Sequence, residues 1–477
     1  MYENYPAHRP ALDIGRAPHP RNVVRRVASL VLIAILVIAI LLHIVTPAAA
    51  ITHRLLRILH ASEIGVGNWF GYTVAASGST IVVGAPYANG GAGAAYVFEN
   101  GSQARILRAS DAQNGDGFGR SVSISGDTIV VGAPFEAGGS GNPAASAGAG
   151  YVFERNQGGA GNWGQVAILH ASDLQTGDRF GVSAGISGDT IVIGAESEDG
   201  GSGDPTGDSG AGYVFERDQG GTGSWGQVTV LRSSDSQAGD SFGNSVAVDG
   251  DTAIVGAPHE DGGSGDPVSA SGAAYVFERD QGGAGSWGQA AALRASDAQT
   301  NDYFGTSVAI SGDVAVVGAE YEDGGSGDPT SASGAAYIFG RDQGGTGSWG
   351  EITPLRASDP LTHDHFGCSV AVSGNVIAVG AYQADGGLGD PVNGAGAGYA
   401  FERNAGGADN WGEVAILAGS DAQTGDEFGY SVALHGVTMV FGARSEDGGP
   451  GNPASATGAA YLFAIGEPFY LPMVMRG

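Results

Sequence analysis

Short apolar runs, cut by clusters of Gly, Asp and Ser, fill the chain from about residue 53 onward. In one stretch they occupy residues 245–248, 252–257, 273–278 and 289–295. Runs of this length bounded by turn residues predict strands, not helices. Asp249-Gly250-Asp251 separates the first two and predicts a tight hairpin turn. The runs are almost continuously apolar, so both faces of each sheet are expected to be buried. Gly256 and Ala257 leave room for close backbone approach, as crowded inner strands need.

The same set of runs recurs. Its clearest marker is a Phe-Gly pair, at Phe70-Gly71, Phe118-Gly119, Phe180-Gly181, Phe242-Gly243, Phe304-Gly305, Phe366-Gly367 and Phe428-Gly429. The first step is 48 residues and the next five are 62. A fixed period in this range marks units that bury their apolar faces only against neighbours. The segment 55–62 (LLRILHAS) precedes the first pair and matches 167–172 (AILHAS), a fourth strand, whereas the last unit has three clear strands ending at 461–463. The fold class is therefore all-β: a seven-bladed β-propeller of four-stranded antiparallel blades, its ring closed by the N-terminal strand. Closure of this kind removes a free sheet edge. The expected domains are 51–466 for the propeller and 467–477 for a tail, whose stretch 469–475 is assigned neither to a docked strand nor to a loose end.

These pairs, with the triplets Gly84–Ala85–Pro86, Gly132–Ala133–Pro134 and Gly256–Ala257–Pro258, resemble the FG-GAP repeat of the integrin α-subunit head and of many exported prokaryotic proteins. The other units keep Gly-Ala and vary the third residue as Glu196, Glu320, Tyr382 and Arg444. The resemblance covers nearly everything after residue 53. It implies a seven-bladed propeller used outside the cell for recognition or adhesion. Integrin-like repeats often carry a DxDxDG calcium loop between the two motifs. Here that stretch is a tight turn, such as Ser125-Gly126-Asp127 or Ser311-Gly312-Asp313, too poor in carboxylates for a cation that takes 6–8 oxygens.

Composition adds exclusions. With 86 Gly in 477 residues the chain could be disordered, but the glycines are periodic and interleaved with Val, Ile, Phe and Tyr. The net charge of −29, with no Lys, argues against nucleic acid as a partner. The single Cys368 excludes an intramolecular disulfide and sits at a variable position, which reads as an incidental thiol. Residues 1–50 read as a signal peptide or an uncleaved signal anchor: Arg21, Arg25 and Arg26 precede an apolar helical run at 27–45, followed by Ala48-x-Ala50. Either form exports the propeller, as a secreted or a membrane-anchored protein.

Candidate chemistry lies in the loops. Those after the second strands carry Asp199, Asp204, Asp261, Asp266, Asp323 and Asp328, and those after the fourth carry pairs such as Asp297 and Asp302. Strand alternation puts both sets on one face. They are candidate Ca2+ ligands or a docking surface for a basic partner; alternatively they only build turns. The opposite face repeats a Gly-rich loop ending at Trp163, Trp225, Trp287, Trp349 and Trp411. These rings are either structural wedges or platforms for a sugar. His363-Asp364-His365 reads as a solvated loop, and no catalytic motif or symmetry-breaking polar cluster stands out at the central channel. The expected function is non-catalytic binding or adhesion to an extracellular protein or polysaccharide. The alternatives are a carbohydrate-binding or glycoside-cleaving propeller and a purely structural surface protein.

Overall fold

The computed structural model describes residues 53–465, apart from residues 64 and 158 and the loop segments 138–143, 202–205, 264–266, 326–328, 387–391 and 449–454. The targeting segment and the tail lie outside the described residues, as do Asp204, Asp266 and Asp328. Among the described residues, no helix is long and apolar enough to cross a membrane.

Seven four-stranded antiparallel sheets follow one another around a ring, and we number the blades by their Phe-Gly pair. Blade 4 is typical: Ser245–Asp249, Thr252–Ala257, Ala273–Arg279 and Trp287–Leu293. Its fourth strand begins and ends two residues earlier than the apolar run suggests. Trp287 pairs with Arg279, and a bulge at Val276/Phe277 absorbs the shift in register. In blade 7 the strand His53–Leu59 pairs antiparallel with Ala459–Ile465, from His53 opposite Ile465 to Leu59 opposite Ala460. The two ends of the propeller thus share one sheet.

The apolar core lies between blades. In the second strand of blade 1, Ile81, Val83 and Ala85 pack toward blade 7, while Val82 packs toward blade 2. That division is why the strand has no polar alternation. Each Phe of a Phe-Gly pair is fully buried or nearly so and meets two or three rings of its own blade, mostly edge-on, as Phe118 does with Tyr151 at 5.3 Å and Phe153 at 6.0 Å. Burying one such ring contributes about 1.5–3 kcal/mol.

The glycines mark where blades touch through backbone. A Cβ on Gly132 would lie 2.0 Å from the Gly181 carbonyl oxygen of the next blade, and Gly119 has φ +94°. Beside each of these contacts a hydroxyl bridges the same junction. Ser121 donates to the Gly181 carbonyl at 2.9 Å, and Ser431 of blade 7 donates to the Gly71 carbonyl of blade 1 at 2.9 Å, so seven such bonds close the circle.

Candidate functional site

The rim carboxylates are occupied by the fold. Asp199, Asp261 and Asp323 each accept a backbone N–H from across their own loop, at 2.7, 2.7 and 2.6 Å. Asp297 accepts the Tyr337 hydroxyl at 2.7 Å and pairs with Arg356 at 2.8 Å, and Asp302 accepts the Gln299 amide at 2.6 Å. These are turn closures and blade-to-blade bonds. Among the described residues, no group of three or more His, Cys, Asp or Glu is arranged to hold a metal ion. The described carboxylates therefore do not fit a calcium cage.

Of the two roles open to the tryptophans, burial fits the structural wedge. Trp163, Trp225, Trp287, Trp349 and Trp411 are only 2–8 % exposed and leave no free ring face for a sugar. Each lies under an Arg of the neighbouring strand: the Arg155 guanidinium carbon is 4.6 Å from the Trp163 ring centre. In the first four pairs that Arg also clasps the preceding blade. Arg155 pairs with Glu99 of blade 1, donates to Thr80 Oγ1 there at 3.1 Å, and meets Asp127 of its own hairpin turn at 2.6 Å.

The unoccupied chemistry is at the mouth of the central channel. Four positions per unit converge there: the residues on either side of Phe-Gly, and the two that follow Gly-Ala. Across the seven units they change while the scaffold around them repeats. The position before Phe is Trp69, Gly117, Arg179, Ser241, Tyr303, His365 and Glu427, all with positive φ. Backbone of that kind suits glycine and costs other residues of order 1 kcal/mol each. Six side chains are held there regardless, each at φ of 55–60°.

Together these positions build an arc of nine aromatic rings, from blade 4 through blades 5, 6 and 7 to blade 1. It runs His259, Tyr303, Tyr321, His365, Tyr382, Tyr430, Tyr72, Trp69, Tyr87, with successive centres 4.5–6.1 Å apart. His365 is thus buried against Tyr321 and Tyr382, and the solvated-loop reading of that histidine is corrected. Burial lowers its pKa and favours the neutral ring. Arg444 lies 3.6 Å from the Tyr430 ring centre and 4.8 Å from that of Trp69, and Glu427 holds its Nε at 2.6 Å.

Inside the arc lies a cavity of about 420 Å³, lined among others by Tyr72, Arg120, Asn244, Glu320, Cys368 and Tyr430. Burial pushes the Glu320 carboxyl up to about 7, against a hydrogen bond from the Thr306 hydroxyl at 3.3 Å. Burial also pushes the Cys368 thiol up to about 12, so it stays protonated. Glu196 is ion-paired with Arg179 at 3.2 Å and accepts from Asn244 at 2.7 Å. A polar cluster that breaks the repeat symmetry does exist at the channel, contrary to the sequence reading. Its signal was present as non-repetition at four positions, but only the ring brings those positions together.

A family model described as FG-GAP repeat matches residues 56–98, 102–153, 163–215, 225–277, 287–339, 349–401 and 411–463. Each match starts in the fourth strand of one blade and ends in the third strand of the next, the offset that lets the first strand complete the last blade. No curated protein matches the chain.

Proposed function

The chain belongs to the FG-GAP repeat family, and from that premise we propose that it is an exported, non-catalytic binding or adhesion propeller that captures an extracellular partner through the aromatic arc. The observation that carries this reading is where the repeats stop repeating. Drift would scatter differences over the whole unit. Here the mouth positions differ in charge, size and aromaticity, while the neighbouring Phe and Gly hold constant and the hydroxyl beside them is Ser in six units and Thr73 in the first. Aromatic rings joined to a few polar groups around a concavity are the usual makings of a ligand site.

A non-catalytic role agrees with the chemistry of the cavity. The Cys368 thiol is protonated and is held by Ser369, the Gly429 carbonyl and the Tyr382 backbone. Glu320 bonds to Thr306, and among the described residues no hydrogen bond joins its carboxyl to the Cys368 thiol. Calcium has no part in this reading, because the described loop carboxylates already bind internal donors.

The units themselves supply a test that spares the fold. Ser241 and Ser197 stand where blade 5 has Tyr303 and Tyr321. The double variant Tyr303→Ser/Tyr321→Ser therefore strips the middle of the arc with residues the scaffold already accepts. Binding of the purified propeller to an array of glycans and extracellular-matrix proteins, in calcium and in chelator, is expected to be specific and calcium-independent. The variant is expected to lose it about tenfold or more, as loss of stacking anchors does. Full retention by the variant would overturn the arc as the binding surface.

A further inference from the structure

Blade 2 interrupts the aromatic arc, and the interruption leaves a hollow. Its position before Phe is Gly117, the one unit of seven without a side chain there. The adjoining loop of blade 1 is short and glycine-rich, a single 3-10 turn at Ala88–Gly91 in place of the longer loop of later units. The space that remains is about 400 Å³, lined by Pro86, Tyr87, Phe135, Arg120 and the glycines 67, 90, 91, 115 and 117. Tyr87 and Phe135 are among the most exposed large apolar side chains described, at 43 % and 37 %.

Arg120 lines both this hollow and the axial cavity. Its guanidinium carbon rests 4.6 Å from the Tyr72 ring centre. Among the described residues it has neither an ion pair nor a hydrogen-bond acceptor, unlike Arg179 and Arg444 beside it, which hold Glu196 and Glu427. Glu196 and Tyr430 act on it through space but do not bond it, and in a chain of net charge −29 a half-buried cation without a bonded acceptor is the exception. Burial lowers its pKa, and the ordinary value is high enough that it stays charged. A planar fork of donors without an acceptor is the complement of a carboxylate.

We propose that this hollow binds a single carboxylated sugar unit of a glycan, a uronate or similar acid, with its carboxylate on Arg120 and its ring against Tyr87 and Phe135. The inference rests on the binding reading above and adds a ligand class to it. Flat aromatic walls suit the apolar face of a pyranose. An extended peptide finds no strand edge to join there, because loops bound the hollow. The overall negative charge repels a polyanion, so one acidic unit on an otherwise neutral chain fits better than a polyuronate.

Two substitutions borrowed from other units test it. Arg120→Val installs the residue of Val182 and removes the charge; Gly117→Tyr installs that of Tyr303 and fills the hollow. The probes are a glucuronate-terminated oligosaccharide, its methyl ester, the glucose-terminated counterpart and an acidic peptide, titrated calorimetrically against the propeller. The glucuronate probe is expected to bind, and the ester and neutral probes to bind about ten- to a hundredfold more weakly. Both variants should abolish the preference with unchanged circular dichroism. Equal binding of acid and ester, stronger binding of the peptide, or full binding by Arg120→Val would overturn the assignment. If that happens while Tyr303→Ser/Tyr321→Ser still loses its array partner, only the sugar assignment falls. If neither set of variants affects any ligand, both readings fall.

Discussion

Asp302 shows what a single rim carboxylate does here. It is buried beneath the turn it closes, and burial, with repulsion from Glu322, Asp323 and Asp297, pushes its carboxyl up to about 7. The folded state therefore holds the proton more tightly than the unfolded state, whose carboxyl titrates near ~3.9. The contribution to stability is fully present below that value and is lost as pH rises toward 7. Asp178, Asp240 and Asp426, each pushed up to about 6, act in the same sense. Asp302→Asn keeps an acceptor for the Gln299 amide without the charge. Its melting temperature should exceed the parent's at pH 8, equivalent to about 1 kcal/mol after allowing for solvent screening at the rim, with the gap closing toward pH 4. A gap independent of pH would sink this account.

At the scale of the element, the clasp from one blade's third strand to the next decides how firmly neighbours hold. Four successive junctions have it, through Arg155, Arg217, Arg279 and Arg341. The junction of blades 5 and 6 has lost it: Gly340 replaces the Glu and Asn375 replaces the turn Asp, leaving Arg403 Nε and Trp411 Nε1 buried without acceptors. Arg341→Ala strands Glu278 and uncovers Trp349, which should cost about 2–4 kcal/mol. Arg403→Ala breaks no ion pair and should cost under about 1 kcal/mol. Gly340 has ordinary backbone, and a Cβ there meets side chains and no backbone, Gln343 Cγ at 2.8 Å, which has to shift, and Ile352 Cδ1 at 3.0 Å. Gly340→Glu should therefore rebuild the clasp and gain roughly 1 kcal/mol. Denaturation midpoints of the three variants rank them, and equal losses for the two arginines would refute the scheme.

For the whole molecule, stability depends on closure. Among the described residues, the strand His53–Leu59 is the only covering of the outer edge of Ala459–Ile465, and Ser431 fastens blade 7 to blade 1. Removing residues 53–59 would leave blade 7 with three strands and an exposed ladder. Such a chain is expected to form oligomers or aggregates by size-exclusion chromatography, because an unpaired edge recruits other strands. A stable monomer with native circular dichroism would show that blade 7 closes without it. The three junctions that lack the Arg clasp, from blade 5 round to blade 1, are all crossed by the aromatic arc, which also crosses the clasped junction of blades 4 and 5.

Blade number, strand order and the closing strand were all legible in the residues, because each follows from local rules. Runs of four to eight apolar residues make strands, glycine marks where backbone meets backbone, and a motif repeated seven times has to close on itself. The rim carboxylates and the tryptophans were visible too, but their roles were open. Whether an Asp side chain faces water or a backbone amide, and whether a Trp ring lies bare or under an Arg, depends on the neighbouring blade. The mouth of the channel was hidden for a related reason. Its residues differ from unit to unit, and equivalent positions lie 48 or 62 residues apart, so no local window compares one unit with the next. Only curvature of the ring brings His259 and Tyr87 into one arc and leaves Arg120 without a bonded acceptor among the described residues beside the gap at Gly117.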